Sequence, residues 1–239
     1  MGNIDITILK EIPNLTEKYD LIIEPLAPLS MVEDFPGSFY KALKSPSKKM
    51  ICGLFENILG WHLGWQDRKQ IMDDIKKIRK KQKVKFESMQ NGSTYIPLLM
   101  EYFEIEDKSI EHFKGVVFYK DLWHRLHSRP DAVNHAKGTE NIDYAIIPLK
   151  RQLKRDSKNN KKVDNKDLEL FFKAHLSQYP LFYSTPTYRE YININGEYHY
   201  SLLLDRNLAV LLIKQLQKFN VGFLGNSEGW INIKFKKNE

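Results

Sequence analysis

Residues 187–219 read TYREYININGEYHYSLLLDRNLAVLLIKQLQKF. Two runs in which apolar and polar residues alternate predict β-strands, because successive side chains of a strand point to opposite faces. Asn195-Gly196 between them is the pair most favoured in a two-residue hairpin turn, so a β-hairpin is expected here. Asp205 then stands as a helix cap in front of an amphipathic stretch that runs to Phe219. A strand pair that passes straight into such a helix belongs to a sheet with helices packed on it.

The segments on either side extend this pattern. YDLIIEPLAPL (19–29) reads as a strand entering a Pro-broken loop. In SPSKKMICGLFENILG (45–60), Ser45 or Ser47 caps a helix, with Pro46 suited to its first position. Met50, Ile51, Leu54, Phe55, Ile58 and Leu59 form the apolar stripe of that helix, and Gly60 ends it. Strands are predicted in YIPLLMEYFEI (95–105), FKGVVFYKDL (113–122) and IDYAIIPLKRQL (142–153), and a helix in NKDLELFFKAHL (165–176). A Gly-rich turn inside VGFLGNSEGWINIKF (221–235) feeds a last strand. The order predicts an α+β fold with helices on one face of the sheet, the ferredoxin-like or RNA-recognition-motif layout. Residues 1–239 are read as a single domain of this kind, carrying a basic helical insertion at 66–90 and a basic loop at 150–166.

Composition narrows the class of partner. The chain has 239 residues, 42% hydrophobic and 28% charged, which is globular rather than disordered. Its formal net charge of +7 suits a polyanion. That charge is concentrated: residues 41–90 carry about +8 and residues 150–166 about +6, which leaves the remainder acidic. The lone cysteine, Cys52, lies within the apolar helix pattern and reads as a small buried hydrophobe. No disulfide framework is possible, and a reducing, cytoplasmic setting is expected. The first residues lack the pattern of a signal peptide, and no apolar run is long enough for a membrane span.

The segment KALKSPSKK (41–49) sets the functional question. Lysines at a helix N-terminus oppose the helix dipole, whereas an arriving phosphate is welcomed there by free backbone N–H groups. Tyr40, Lys41, Lys44, Ser45, Ser47, Lys48 and Lys49 are therefore candidates for RNA contact. Gly222 and Gly225 are candidates for close backbone approach, while Trp61, Trp65 and Trp230 are expected to pack in the core. Arg151, Lys154 and Arg155 suit the gripping of a nucleic-acid backbone. In QDRKQIMDDIKKIRKKQKVKF (66–86), Ile71, Ile75 and Ile78 mark a helix whose charged residues are expected to face solvent. His124 and His127 have metal-ligand spacing, but no third ligand completes a site, and neither metal nor cofactor is expected. Walker, Rossmann and nucleophile-elbow motifs are absent from the sequence.

Two segments carry a resemblance. Ser45, Pro46, Ser47, Gly53, Leu54, Leu59 and Gly60, together with Leu224, Gly225, Ser227 and Glu228, resemble the CRISPR-associated Cas-five family of RAMP subunits in type I Cascade complexes. The acidic Glu33 and Asp34 depart from the family's basic stretch after the first strand. The resemblance implies a subunit that caps the 5′ end of the guide RNA, grips its repeat-derived 5′ handle and projects a thumb-like hairpin arm that kinks the RNA. It also implies CRISPR RNA, a backbone RAMP subunit, a large subunit and target DNA within the complex as partners, with no membrane involved. The leading expectation is non-catalytic. The alternative is a metal-independent endoribonuclease that processes precursor CRISPR RNA, for which Tyr40, Lys41, Lys44 and His62 supply base, acid and cation.

Overall fold

A computed structural model describes residues 4–33, 39–86, 95–111, 115–123, 126–128, 181–183 and 187–238, with isolated positions between 145 and 175. The chain divides into two compact units, one of residues 1–121 with 188–239 and one of residues 122–187.

The first unit is built on a sheet whose central strand is β1 (Leu15–Pro25). Alternation along β1 buries Tyr19, Leu21 and Ile23 and turns Lys18, Asp20, Ile22 and Glu24 to the other face. After β2 (Phe39–Tyr40), helices α1 (Lys48–Ile58) and α2 (Trp65–Lys81) precede β3 (Phe103–Glu111). The strands β4 (Val116–Trp123), β5 (Leu126–Ser128), β6 (Leu181–Tyr183) and β7 (Thr187–Ile194) follow. The chain closes through β8 (Glu197–Asp205), α3 (Arg206–Leu216), β9 (Val221–Phe223) and β10 (Trp230–Lys237).

Strand order in the main sheet is β3-β8-β1-β10-β9. The pairings β3·β8, β8·β1, β1·β10 and β10·β9 are all antiparallel. With α1 between β1 and β3, and α3 between β8 and β10, this is the βαββαβ order of a ferredoxin-like fold, extended by β9 at one edge. The α+β reading is therefore the observed one. Ile51, Cys52, Leu54 and Phe55 of α1 and Leu208, Ala209 and Leu212 of α3 bury against the inward residues of the sheet. Cys52 is buried and in no disulfide, as its place in the apolar helix pattern predicts.

The Asn195-Gly196 turn does not make the expected hairpin. Both edges of β8 are occupied, by β1 and β3, so β7 has no free edge to join. Instead β7 lies between β2 and β4 in a second, three-stranded sheet, with β2 parallel to it. The Asn195 N–H donates to Gly115 O at 3.5 Å, between the end of the β3/β8 ladder and the β4/β7 pair. In the second unit, β5 and β6 pair antiparallel, Leu126 opposite Tyr183.

Three further expectations change. The strand predicted from residue 95 begins only at Phe103. Pro97 removes a ladder donor there, and the Tyr102 N–H closes a turn onto Leu99 O. Pro148, Leu149, Gln152 and Leu153 are helical rather than extended, whereas Asp167, Leu170, Phe171 and Ala174 are helical as predicted. The third concerns α2, which does not turn all its charge to solvent. Arg68, Met72, Ile75 and Arg79 recur at spacings of four, three and four and form its buried stripe. Arg79 is fully buried and donates to Glu101 Oε2 at 3.1 Å, Glu11 O at 2.7 Å and the Tyr102 hydroxyl at 3.0 Å. Arg68 pairs with the buried Glu56 carboxylate and donates to the carbonyls of Trp61, Leu63 and Ile96. Glu56 also accepts the Leu98 N–H at 2.6 Å. Among the described residues, no helix is long and apolar enough to cross a membrane.

Candidate nucleic-acid interface

The loop before α1 is held in place mainly by its neighbours. Tyr198 and Tyr200, on the inward face of β8, donate their hydroxyls to Lys44 O at 2.8 Å and Pro46 O at 3.0 Å. Burial pushes both phenols well above their ordinary range, so they stay protonated donors at neutral pH. The Ala42 N–H donates to Glu190 Oε2 at 2.9 Å, and the Leu43 N–H to Met31 O at 2.7 Å. Lys41 and Lys44 are left exposed on a fixed backbone.

Ser47 is the cap of α1, its hydroxyl accepting the Met50 N–H at 3.4 Å. Pro46 therefore precedes the cap instead of occupying the first helical position. At the other end, Gly60 has φ +73°, and the bonds Gly60 N–H to Asn57 O and Trp61 N–H to Glu56 O make a Schellman stop. The first turn of α1 holds Lys48 and Lys49 and no acid. The two lysines differ in their surroundings. Lys48 Nζ lies 2.7 Å from Glu104 and 5.3 Å from the centre of the Phe103 ring. Lys49 lines a groove of about 450 Å³.

That groove joins the two segments singled out in the sequence. Ser47, Lys49, Met50, Gly53 and Asn57 of α1 form one wall, and Phe223, Gly225, Asn226 and Ser227 of the C-terminal turn form another, with Glu33 and Tyr95 beside them. Gly225 is required by geometry: its φ is +80°, and a Cβ there would stand 2.5 Å from Ser30 O. The Leu224 N–H donates to Gly229 O at 2.9 Å, closing the turn. Gly222 serves packing, since a Cβ would meet Leu54 and Ile233 at 3.2 Å. Gly53 makes room for the Tyr95 ring, 3.4 Å from the position its Cβ would occupy.

Tyr40 lies on β2 in register with Arg189, whose guanidinium sits 5.1 Å from the Tyr40 ring centre. Tyr191 stacks on Tyr119 at 5.4 Å and reaches Glu228 of the Gly-rich turn at 3.5 Å. Arg189, Tyr191 and Tyr119 were not singled out in the sequence, where they read as ordinary strand alternation. Of the alternative catalytic set, Lys44 and His62 lie beyond opposite ends of α1. The 11 helical residues at ~1.5 Å each put about 16 Å between those ends. Among the described residues, no group of three His, Cys, Asp or Glu is placed to hold a metal ion. Arg151, Lys154, Arg155 and His124 lie outside the described residues.

Trp61 packs in the core as expected, but Trp65 is 57% and Trp230 47% exposed. The outer face of the main sheet offers no stacking platform on its central strands. Lys18, Asp20, Ile22 and Glu24 of β1 and Glu197, His199, Ser201 and Leu203 of β8 carry no Phe, Tyr or Trp. Ion pairs cross that face, Lys234 to Glu197 at 2.6 Å and Lys18 to Glu106 at 3.1 Å. The topology is that of an RNA-recognition motif, but its aromatic reading surface is missing.

A search of curated proteins finds no match. A chain of a solved structure described as "Cryo-EM structure of the Type III-B Cmr-beta bound to cognate target RNA" is similar over 93% of this chain and 98% of that chain, at 8% identity and a TM-score of 0.36. The fold assignment rests on the strand order above and not on that likeness. The family model described as CRISPR-associated protein Cas5p matches residues 4–235. That match takes in both the α1 segment and the Gly-rich turn that meet at the groove, and the chain belongs to the CRISPR-associated protein Cas5p family.

Proposed function

We propose that this chain is a non-catalytic CRISPR RNA-binding subunit of a type I Cascade effector complex. In this reading it caps the 5′ end of the guide and grips the repeat-derived 5′ handle. The supporting observation is the meeting, at one groove, of the lysine-bearing start of α1 and the Gly-rich turn. Ser47, Lys49 and the open N–H groups of the first turn suit a phosphate, and Lys41 and Lys44 extend the positive field along the strand's path. Glu33 repels phosphate but accepts from exocyclic base amines, so the groove seats backbone and base at different points.

Tyr40, Ser45 and Lys48 are further RNA contacts beside this seat, Gly222 and Gly225 shape the turn that forms its wall, and Arg151, Lys154 and Arg155 serve as further backbone contacts. We read residues 122–187 as an elaboration of one RAMP-type domain spanning 1–239, with 66–90 as a basic insertion and 150–166 as a basic loop. The partners are CRISPR RNA, the backbone RAMP subunit, the large subunit and target DNA within a cytoplasmic complex.

The test is co-expression with the genomically neighbouring genes and a repeat-spacer RNA, followed by purification and crosslinking. The expected result is a ribonucleoprotein in which this chain crosslinks to the 5′ handle. Recovery of the chain free of RNA, or specific repeat cleavage by the chain alone that is lost in Tyr40→Phe or His62→Ala, would overturn the reading.

A further inference from the structure

Asn57 stands where two cavities meet. The groove beside Lys49 and a second cavity of about 580 Å³ at the far end of α1 share Gly53, Asn57 and Tyr95. The second cavity is lined also by Trp61, His62, Trp65 and Arg68. Its size is within the ~300–1,000 Å³ range of small-ligand sites.

The cavity has a rigid frame. Arg68 donates to Trp61 O at 3.0 Å and Leu63 O at 3.2 Å, and its guanidinium lies 4.9 Å from the Tyr95 ring centre. With the Schellman stop at Gly60, these bonds fix the segment that carries His62 and leads into Trp65. Arg68 spends its charge on Glu56 and carbonyls, so this end of the groove is not built for phosphate. What it presents is an indole that is 57% exposed and the amide of Asn57, which makes no side-chain hydrogen bond among the described residues. A wide π-face and an amide with both a donor and an acceptor are the two things that recognise an unstacked base.

Resting on the RNA-binding reading above, we propose that this second cavity is a nucleobase pocket, in which one base of the bound strand stacks on Trp65 while Asn57 hydrogen-bonds its edge. The strand then runs along α1, its phosphate at the Lys49 end and its base at the Trp65 end.

The test uses the full chain with labelled oligo(A), oligo(C) and oligo(U), titrated by fluorescence anisotropy at several salt concentrations. Trp65→Ala is expected to weaken binding roughly 5- to 150-fold without changing the salt slope, because stacking releases no counterions. Trp65→Phe, which keeps a ring, restores most of the affinity, and Asn57→Ala narrows the preference among the three oligonucleotides. A thermal melt like that of wild type is expected for each variant. Wild-type binding of all three RNAs by Trp65→Ala, or no recovery in Trp65→Phe, would overturn the pocket. If Lys49→Glu still weakens binding and flattens the slope in that case, the pocket alone fails. If wild type binds none of the RNAs, the RNA reading fails with it.

Discussion

Reversing one lysine at a time at the start of α1 separates the cost to folding from the cost to binding. In Lys49→Glu, an acid enters the first helical turn, where it favours the dipole by about 0.3–1 kcal/mol. In Lys48→Glu the same dipole gain is opposed. The half-exposed pair with Glu104 at 2.7 Å, worth about 0.2–1 kcal/mol, is lost, and a like charge takes its place. Thermal melts are therefore expected to show Lys49→Glu unchanged or slightly stabilised and Lys48→Glu unchanged or slightly destabilised. Binding separates them in the other direction. Lys49 lines the groove, and a charged hydrogen bond to phosphate contributes about 1.5–3 kcal/mol, so Lys49→Glu is expected to cost about 10- to 150-fold in RNA affinity. It also flattens the plot of log affinity against log salt by roughly 0.7. Lys48→Glu, committed to Glu104, is expected to change affinity less. Equal affinities and slopes for wild type and Lys49→Glu would refute the phosphate seat at this helix.

Arg79→Met is expected to destabilise the chain by about 3–5 kcal/mol, read by denaturant unfolding, because it leaves Glu101 and the Glu11 carbonyl without their buried partner. An exposed lysine of the same helix, such as Lys80, is the control and moves stability little. The stability supplied by Glu197 has a definite pH window. The hydrogen bond from Lys234 holds its carboxyl below the ordinary 4.5, so the stabilisation is fully present above that value and is lost as pH falls through the depressed folded one. The melting difference between wild type and Glu197→Gln is thus expected to be constant near neutrality and to fade in acid. A difference that grows in acid would show that the pair is not what sets it.

Local signals were read correctly where they were decided by nearby residues. The alternation of β1 and β8, the Ser47 cap and the Gly60 stop depend on neighbours within a few positions, and all three are present. What failed depended on distant strands. Asn195-Gly196 has the chemistry of a hairpin, but β1 and β3 claim both edges of β8, and tertiary pairing overrides the turn preference. Arg68 and Arg79 were assigned to solvent because charge usually belongs there. The clue lay in their spacing with Met72 and Ile75, which is that of one helical face. Trp65 and Trp230 were assigned to the core by the same reasoning from residue type, and both are exposed. In the candidate site, the residues of α1 and of the Gly-rich turn were each picked out, but only the fold brings them to one groove.

The position of β1 at the centre of the sheet governs when the protein becomes itself during synthesis. Tyr19 faces Leu202 on one side and Lys237 on the other, so both neighbours of this strand are made long after it. Until residues 197–237 emerge, β1 has neither ladder, and its inward Tyr19, Leu21 and Ile23 have no finished layer to enter. Closing contacts over so long a stretch is entropically expensive and slow, and it leaves a nascent edge exposed to other chains meanwhile. The same late segment carries the Gly-rich turn. A ribosome-bound chain can present its lysines early, but it has no groove to bind with until the sheet has closed.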